Sequence, residues 1–235
     1  MRRLVRGFWG PREESVEELA DRWAATLDRL ALLLPEAALP GQWDMAGASG
    51  GPATPLSTDT DSLRAALQAA RTADDWAKGT GTALRLTAAG APGWTVEVSG
   101  LAGGDSEFLL QSLVIGIRPP AGAVLPAAEL LTALAEFWAP DFGDVTDDDV
   151  LDALEDEAGY GVGEPCVGRA GYLSPARGEL VPDDLTVPRA ALPGGGLLLD
   201  IAPEGDVDTV VRAFERLRES GALQPLPRPM DRATL

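Results

Sequence analysis

Residues 82–118 read TALRLTAAGAPGWTVEVSGLAGGDSEFLLQSLVIGIR. Three segments inside this stretch, 82–88, 93–99 and 108–118, are strand candidates, and Gly-rich turns separate them. Consecutive strands joined by short turns pair antiparallel, so the stretch reads as a meander. Upstream, RLVRGFWG (3–10) reads as a short strand, and Pro11 is expected to open a helix running to about Leu34. In that helix Val16, Leu19, Trp23, Leu27, Leu30 and Leu34 share one face, while Glu14, Glu17, Glu18, Asp21 and Asp28 look outward. A second helix is expected over 61–77. Downstream, Pro126 occupies a first helical position, and Leu130, Leu131, Leu134, Phe137 and Trp138 line a face before Pro140 ends the helix. CVGRAGYLS (166–174) and GGLLLDIA (195–202) read as strands, and 206–220 as a helix followed by Gly221. Strands that arrive in a run flanked by helices, without regular βαβ alternation, give an α+β fold. The expectation is a single domain over 1–223, a mainly antiparallel sheet flanked by amphipathic helices. Within it, Gly/Pro-rich residues 35–60 form a long surface loop, and 224–235 form a flexible C-terminal tail.

The chain has 235 residues, is 45% hydrophobic and carries a net charge of -18, so it can bury a core but repels polyanions. Nucleic acid and anionic membrane are therefore poor direct partners, whereas a basic protein or a cation is attracted. With 18 Arg and one Lys, part of the composition reads as the bias of a high-GC genome. No apolar run is long enough to span a bilayer, and the single Cys166 excludes an intrachain disulfide, which fits a reducing cytoplasm.

Histidine is absent, which removes Ser-His-Asp and Cys-His nucleophiles, a His base and His-ligated metals. Catalysis by two carboxylates remains open. The acids are concentrated in DFGDVTDDDVLDALEDEAGYGVGE (141–164), which holds ten carboxylates and no Lys or Arg. It fails the calcium-loop pattern, because the sixth residue from Asp141 is Thr146 and from Asp144 is Asp149, where glycine is required. Asp141-Phe142-Gly143 lacks the rest of a kinase, and GYGVG (159–163) and GTG (79–81) lack the context of a phosphate cradle.

Read as a helix, the stretch has Thr146 and Asp149 as a capping box and Asp147 and Asp148 in the first turn, where the helix dipole favours them. Val150, Leu151, Leu154 and Ala158 mark the buried side, leaving Asp148, Asp149, Asp152, Glu155 and Asp156 open. Glu155, Asp156 and Glu157 occupy the last turn, at the unfavourable end of the dipole, so local stability does not ask for them. Solubility and a partner-binding surface both account for such a run. The six tryptophans read mainly as core, with Trp43 in its polar loop the exception, and Cys166 reads as a buried, inert thiol.

Three segments carry a family likeness: GFWGPREESVEELADRWAATLDRL (7–30), FWAPDFGDV (137–145), and GRAGYLSP (168–175) with GGGLLLDIAPEGDVDTVVRAFERLRESGAL (194–223). Together they resemble immunity protein 52, a bacterial polymorphic-toxin immunity family with an α+β fold, from about residue 4 to 223. The matching motif residues are Phe8, Trp9, Gly10, Pro11, Arg12, Glu14 and Ser15, then Trp138, Pro140 and Asp141, then Gly171 and Tyr172. The family more often has Trp where this chain has Tyr172. A structural role accounts for the first motif: Phe8 and Trp9 close the core, Gly10 turns the chain, Pro11 starts the helix and Glu14 stabilises its first turn.

The resemblance implies a non-enzymatic protein without a cofactor, made beside a toxin gene and binding that toxin in the producing cell. The family's toxins are often restriction-endonuclease-like nucleases, whose basic clefts would attract this acidic chain. Toxin contact would then fall on Asp148, Asp149, Asp152, Glu155, Asp156 and Glu157. The alternatives are a carboxylate-dependent enzyme or divalent-cation binder using Asp141, Asp144 and 147–149, and a scaffold whose acids serve solubility alone.

Overall fold

Strand β1 (Arg3–Trp9) lies inside the sheet, bonded on one side to a strand from the middle of the chain and on the other to the acidic stretch. The computed structural model describes residues 1–39, 41–47, 51–74 and 76–235. After β1 come α1 (Val16–Leu33), β2 (Trp43–Met45), β3 (Thr54–Leu56), α2 (Thr60–Arg71), β4 (Thr82–Ala89), β5 (Thr95–Ala102) and β6 (Gln111–Arg118). They are followed by α3 (Ala127–Trp138), β7 (Phe142–Asp147), α4 (Asp148–Ala158), β8 (Ala170–Leu173), α5 (Pro175–Gly178), β9 (Arg189–Ala191), β10 (Leu197–Asp200) and α6 (Val207–Glu219). The described strands form one ten-stranded sheet in the order β3-β2-β4-β5-β6-β1-β7-β8-β10-β9. Every neighbouring pair is antiparallel. The expected α+β fold and the meander are present.

Alternation along the strands decides which face is dry. Leu86, Val98, Ile115, Val5, Val145 and Ala170 stand opposite one another in register and are all buried, forming a continuous apolar row across six strands. Helices α1, α2 and α3 cover that face with Leu19, Trp23, Leu27, Leu63, Leu67, Leu130, Leu131 and Leu134. The opposite face is covered over β7, β8 and β10, where α4 and α6 pack Val150, Leu154, Val210, Phe214 and Leu217 on Phe142, Leu173 and Leu199. Over β4 and β5 it meets solvent, with Arg85 paired to Glu97 at 2.7 Å.

Several boundaries differ from the sequence reading. Helix α1 begins at Val16 rather than Pro11, because Ser15 caps it: its side chain accepts from Glu18 N–H, and the Glu18 carboxylate accepts from Ser15 N–H. Glu14, expected to face outward in the first turn, precedes the helix and is buried. Helix α2 starts at Thr60 on an Asp59 cap and ends at Arg71, short of residue 77; Asp75 lies outside the described residues. The expected loop at 35–60 contains the β2–β3 hairpin, which extends the sheet beside β4. Trp43 is buried there, since β2 turns its side chain into the core; Pro40 and residues 48–50 lie outside the described residues.

Residues 224–235 contain no helix or strand, yet they pack on the body rather than trailing away from it. Leu226 and Met230 are buried, Met230 N–H donates to Glu107 O, and Gly10 N–H donates to Ala233 O. Apolar side chains every few residues and backbone donors of the body hold this segment in place.

Candidate functional site

The acidic stretch consists of a strand followed by a helix, and the two halves treat their charges in opposite ways. Residues 142–147 form β7, all six of them buried. The charges there are compensated by arginines from distant parts of the chain. Arg6 donates through Nε to Asp144 Oδ1 (2.8 Å) and through Nη2 to Oδ2 (2.6 Å), the two-pronged geometry that favours a guanidinium–carboxylate pair. Asp147 is paired with Arg3 and, at 2.9 Å, with Arg169. Asp141, just ahead of the strand, accepts from Arg177 Nη2 (2.7 Å), Ser174 Oγ (3.0 Å) and Leu235 N–H (2.8 Å). These arginines were not assigned a role in the sequence. A signal existed: Arg3 and Arg6 have the same spacing as Asp144 and Asp147, so one antiparallel register pairs both.

The expected Thr146–Asp149 capping box is not formed. Thr146 is still in the strand and buried, and Asp147, with extended backbone (φ -145°), is the cap, its carboxylate accepting from Val150 N–H at 3.1 Å. The helix thus begins one residue later than the box requires.

Helix α4 leaves Asp148, Asp149, Asp152, Glu155, Asp156 and Glu157 exposed, and none of these six has an ion-pair partner among the described residues. Val150, Leu154 and Ala158 are buried as expected and Leu151 is half-buried. The last turn, lacking a base of its own, receives one from α6: Arg218 Nη1 donates to Ala158 O at 2.6 Å. Gly159 ends the helix in the left-handed region (φ 65°).

The family-motif residues cluster around the other end of β1, most of them buried, with Phe8, Pro11 and Arg12 half-buried and Ser15 exposed. Trp9 stacks on Trp138 with ring centres 5.6 Å apart, and Trp138 meets Trp23 edge-on at 5.8 Å while donating to Thr26 Oγ1 at 2.8 Å. Phe8, on the opposite face, stacks on Phe142 at 5.2 Å. Gly10 lies so close to Arg232 O that no side chain fits. Pro11 leads into the linker rather than the helix. Arg12 lies over the Trp9 ring at 5.0 Å, and its burial lowers its pKa. Glu14 pairs with Arg22 at 2.7 Å and with Arg12 at 3.4 Å. Arg22 also donates to Phe137 O, so its guanidinium places positive charge at the carbonyl end of α3. Pro140 is buried beside Gly7, Gly171 packs on Val167, and Tyr172 is buried in the core under α3. Burial raises the Tyr172 pKa.

Cys166 is buried, with Sγ 3.1 Å from Asp144 Oδ2 and 3.2 Å from Arg6 Nη2. Burial, reinforced by the Asp144 carboxylate, pushes its pKa well above the ordinary value, which leaves it a protonated, inert thiol. Burial works against the charge on Arg6, but Asp144 outweighs it and raises the Arg6 pKa. Of the carboxylates in the catalytic or cation-binding reading, Asp141, Asp144 and Asp147 are engaged by guanidiniums, whereas Asp148 and Asp149 are exposed on α4. Among the described residues no group of three or more His, Cys, Asp or Glu is arranged to hold a metal ion. Among them, too, no helix is long and apolar enough to cross a membrane.

Among solved structures the fold is similar to that of Pseudomonas aeruginosa T6SS protein PA0821, with a TM-score of 0.54 at 13% identity over 94% of this chain and 72% of that one. No curated protein matches. The model of the family described as immunity protein 52 matches residues 4–213, a span that takes in the aromatic–Gly-Pro-Arg motif, the arginine-paired strand, α4 and most of α6. With most of the chain and its motif core inside that span, the chain belongs to the immunity protein 52 family.

Proposed function

We propose that this protein binds a cognate bacterial toxin and neutralises it by direct contact, with the exposed face of α4 as a main contact surface. The observation that carries the reading is the division of charge within one short stretch. Asp141, Asp144 and Asp147 each have an arginine, whereas the six carboxylates of α4 have none and face solvent. Burial explains the first set, since an unpaired buried charge is costly. Folding has no need of the second, and like charges three or four residues apart repel.

A basic partner would be steered to this face and held in register by it. A restriction-endonuclease-like nuclease has the required chemistry, because a cleft that binds phosphate is basic. On this reading the protein acts without catalysis or cofactor, in the cytoplasm of the producing cell, and touches neither nucleic acid nor membrane directly. The family points to a non-enzymatic role, and the likeness to a T6SS protein is in keeping with an immunity role.

The test is co-expression with the toxin encoded by the adjacent gene. Rescue of growth together with co-purification supports the reading; a toxin that still kills and does not co-purify sinks it.

A further inference from the structure

A cavity of about 470 Å³ lies away from the family-motif core, where β1 begins and β7 ends. Its inner wall is apolar, built by Val5, Val145 and Ala170 from the sheet and Leu130 from α3. Its outer wall is the loop between β6 and α3, where Val124 is 92% exposed. A mouth of exposed apolar surface leading into an apolar cavity is what folded monomers tend to avoid unless something fills it.

The polar rim indicates what fills it. Arg3 and Arg169 line the cavity, but both are already spent on Asp147, and Arg3 also on Glu204. Asp200, exposed at the same rim, has no side-chain partner among the described residues. The charged side chains that line the cavity, Arg3 and Arg169 against Asp200 and Glu204, balance, so the excess negative charge beside it is that of the exposed Asp148 and Asp149, which directly follow the Asp147 held by both arginines. Because Asp147 is also the cap of α4, the cavity and the acidic helix are joined by one ion-pair network.

We propose that this cavity receives a bulky apolar side chain from a basic segment of the toxin, so that the toxin is anchored there while its charges meet α4. This rests on the toxin-binding reading above. Buried anchors of this kind carry most of the affinity in protein interfaces, with surrounding charges setting rate and orientation.

The experiment measures binding of the purified toxin domain from the adjacent gene to the full-length protein. Ala128 lines the cavity from an exposed position on α3, so Ala128→Trp fills the space without burdening the core. Val124→Asp places a charge in the mouth, on an exposed loop. Each variant, with unchanged thermal melting, is expected to weaken toxin binding by about tenfold or more. Asp200→Lys with Glu204→Lys is expected to slow association at low salt. If Ala128→Trp and Val124→Asp bind the toxin as tightly as the unaltered protein does, the cavity inference is overturned while toxin binding stands. If the unaltered protein itself fails to bind the toxin, both readings fall.

Discussion

Arg177 and Asp141 are both fully buried, and the Arg177 Nη2 donates to Asp141 Oδ2 across 2.7 Å. Arg177 also donates from Nη1 to Ala222 O, so one side chain ties α5 to β7 and to the end of α6. Removing it leaves a buried carboxylate without its charge partner. Arg177→Met is expected to cost about 3–5 kcal/mol in urea denaturation. The double variant Arg177→Met/Asp141→Leu should be markedly less destabilised than the sum of the singles; strict additivity would show the pair to be uncoupled.

Gly7 and Gly143 face each other across β1 and β7 beneath α3, and a methyl group on each meets a different kind of neighbour. At Gly7 the obstacle is the end of the Leu134 side chain, which can turn aside. At Gly143 it is the backbone oxygen of Arg6, 2.6 Å away, which cannot move without breaking the ladder. Gly143→Ala is expected to cost about 1–3 kcal/mol and Gly7→Ala less, a ranking that denaturant midpoints will decide.

Reversing Asp152, Glu155 and Asp156 to Lys separates folding from binding. Each relieved repulsion on α4 is worth about 0.2–0.5 kcal/mol, so thermal stability should hold or rise slightly. Toxin association should slow strongly at low salt, and the gap from the unaltered protein should narrow at high salt, where steering is screened for both proteins. Unchanged affinity would assign these acids to solubility.

Because burial raises the Cys166 pKa, the folded protein keeps its thiol protonated where the unfolded chain would ionise. The stability this group contributes is therefore fully present below the ordinary thiol value and declines as pH rises above it, since the unfolded state then sheds the proton first. At neutral pH a thiol reagent should label Cys166 only as fast as the protein opens, and labelling should become rapid in denaturant. Rapid labelling of the folded chain would contradict the burial.

The apolar alternation of β4, β5 and β6 announced these strands because only one of their faces is covered, and a one-sided strand keeps period two. Strand β7 is covered on both faces and still reads FGDVTD, since arginines stand where aliphatic side chains would otherwise be needed. Local spacing thus hid a central strand that long-range pairing creates. The start of α1 was misplaced for a smaller reason: Pro11 and Ser15 both signal a helix start, and the hydroxyl cap with Glu18 prevails. On the candidate surface, the exposed acids of α4 were readable from helical period. The cavity was not, because its walls come from segments far apart in the chain.

The position of β1 also bears on the time course of folding. It is bonded only to β6 and β7, so Arg3 must find Ile117 on one side and Asp147 on the other. During synthesis β1 emerges well before either partner, and pairings so distant in sequence form slowly. The two halves of the sheet can each assemble from neighbouring strands, but they become one sheet only when β1 is inserted between them.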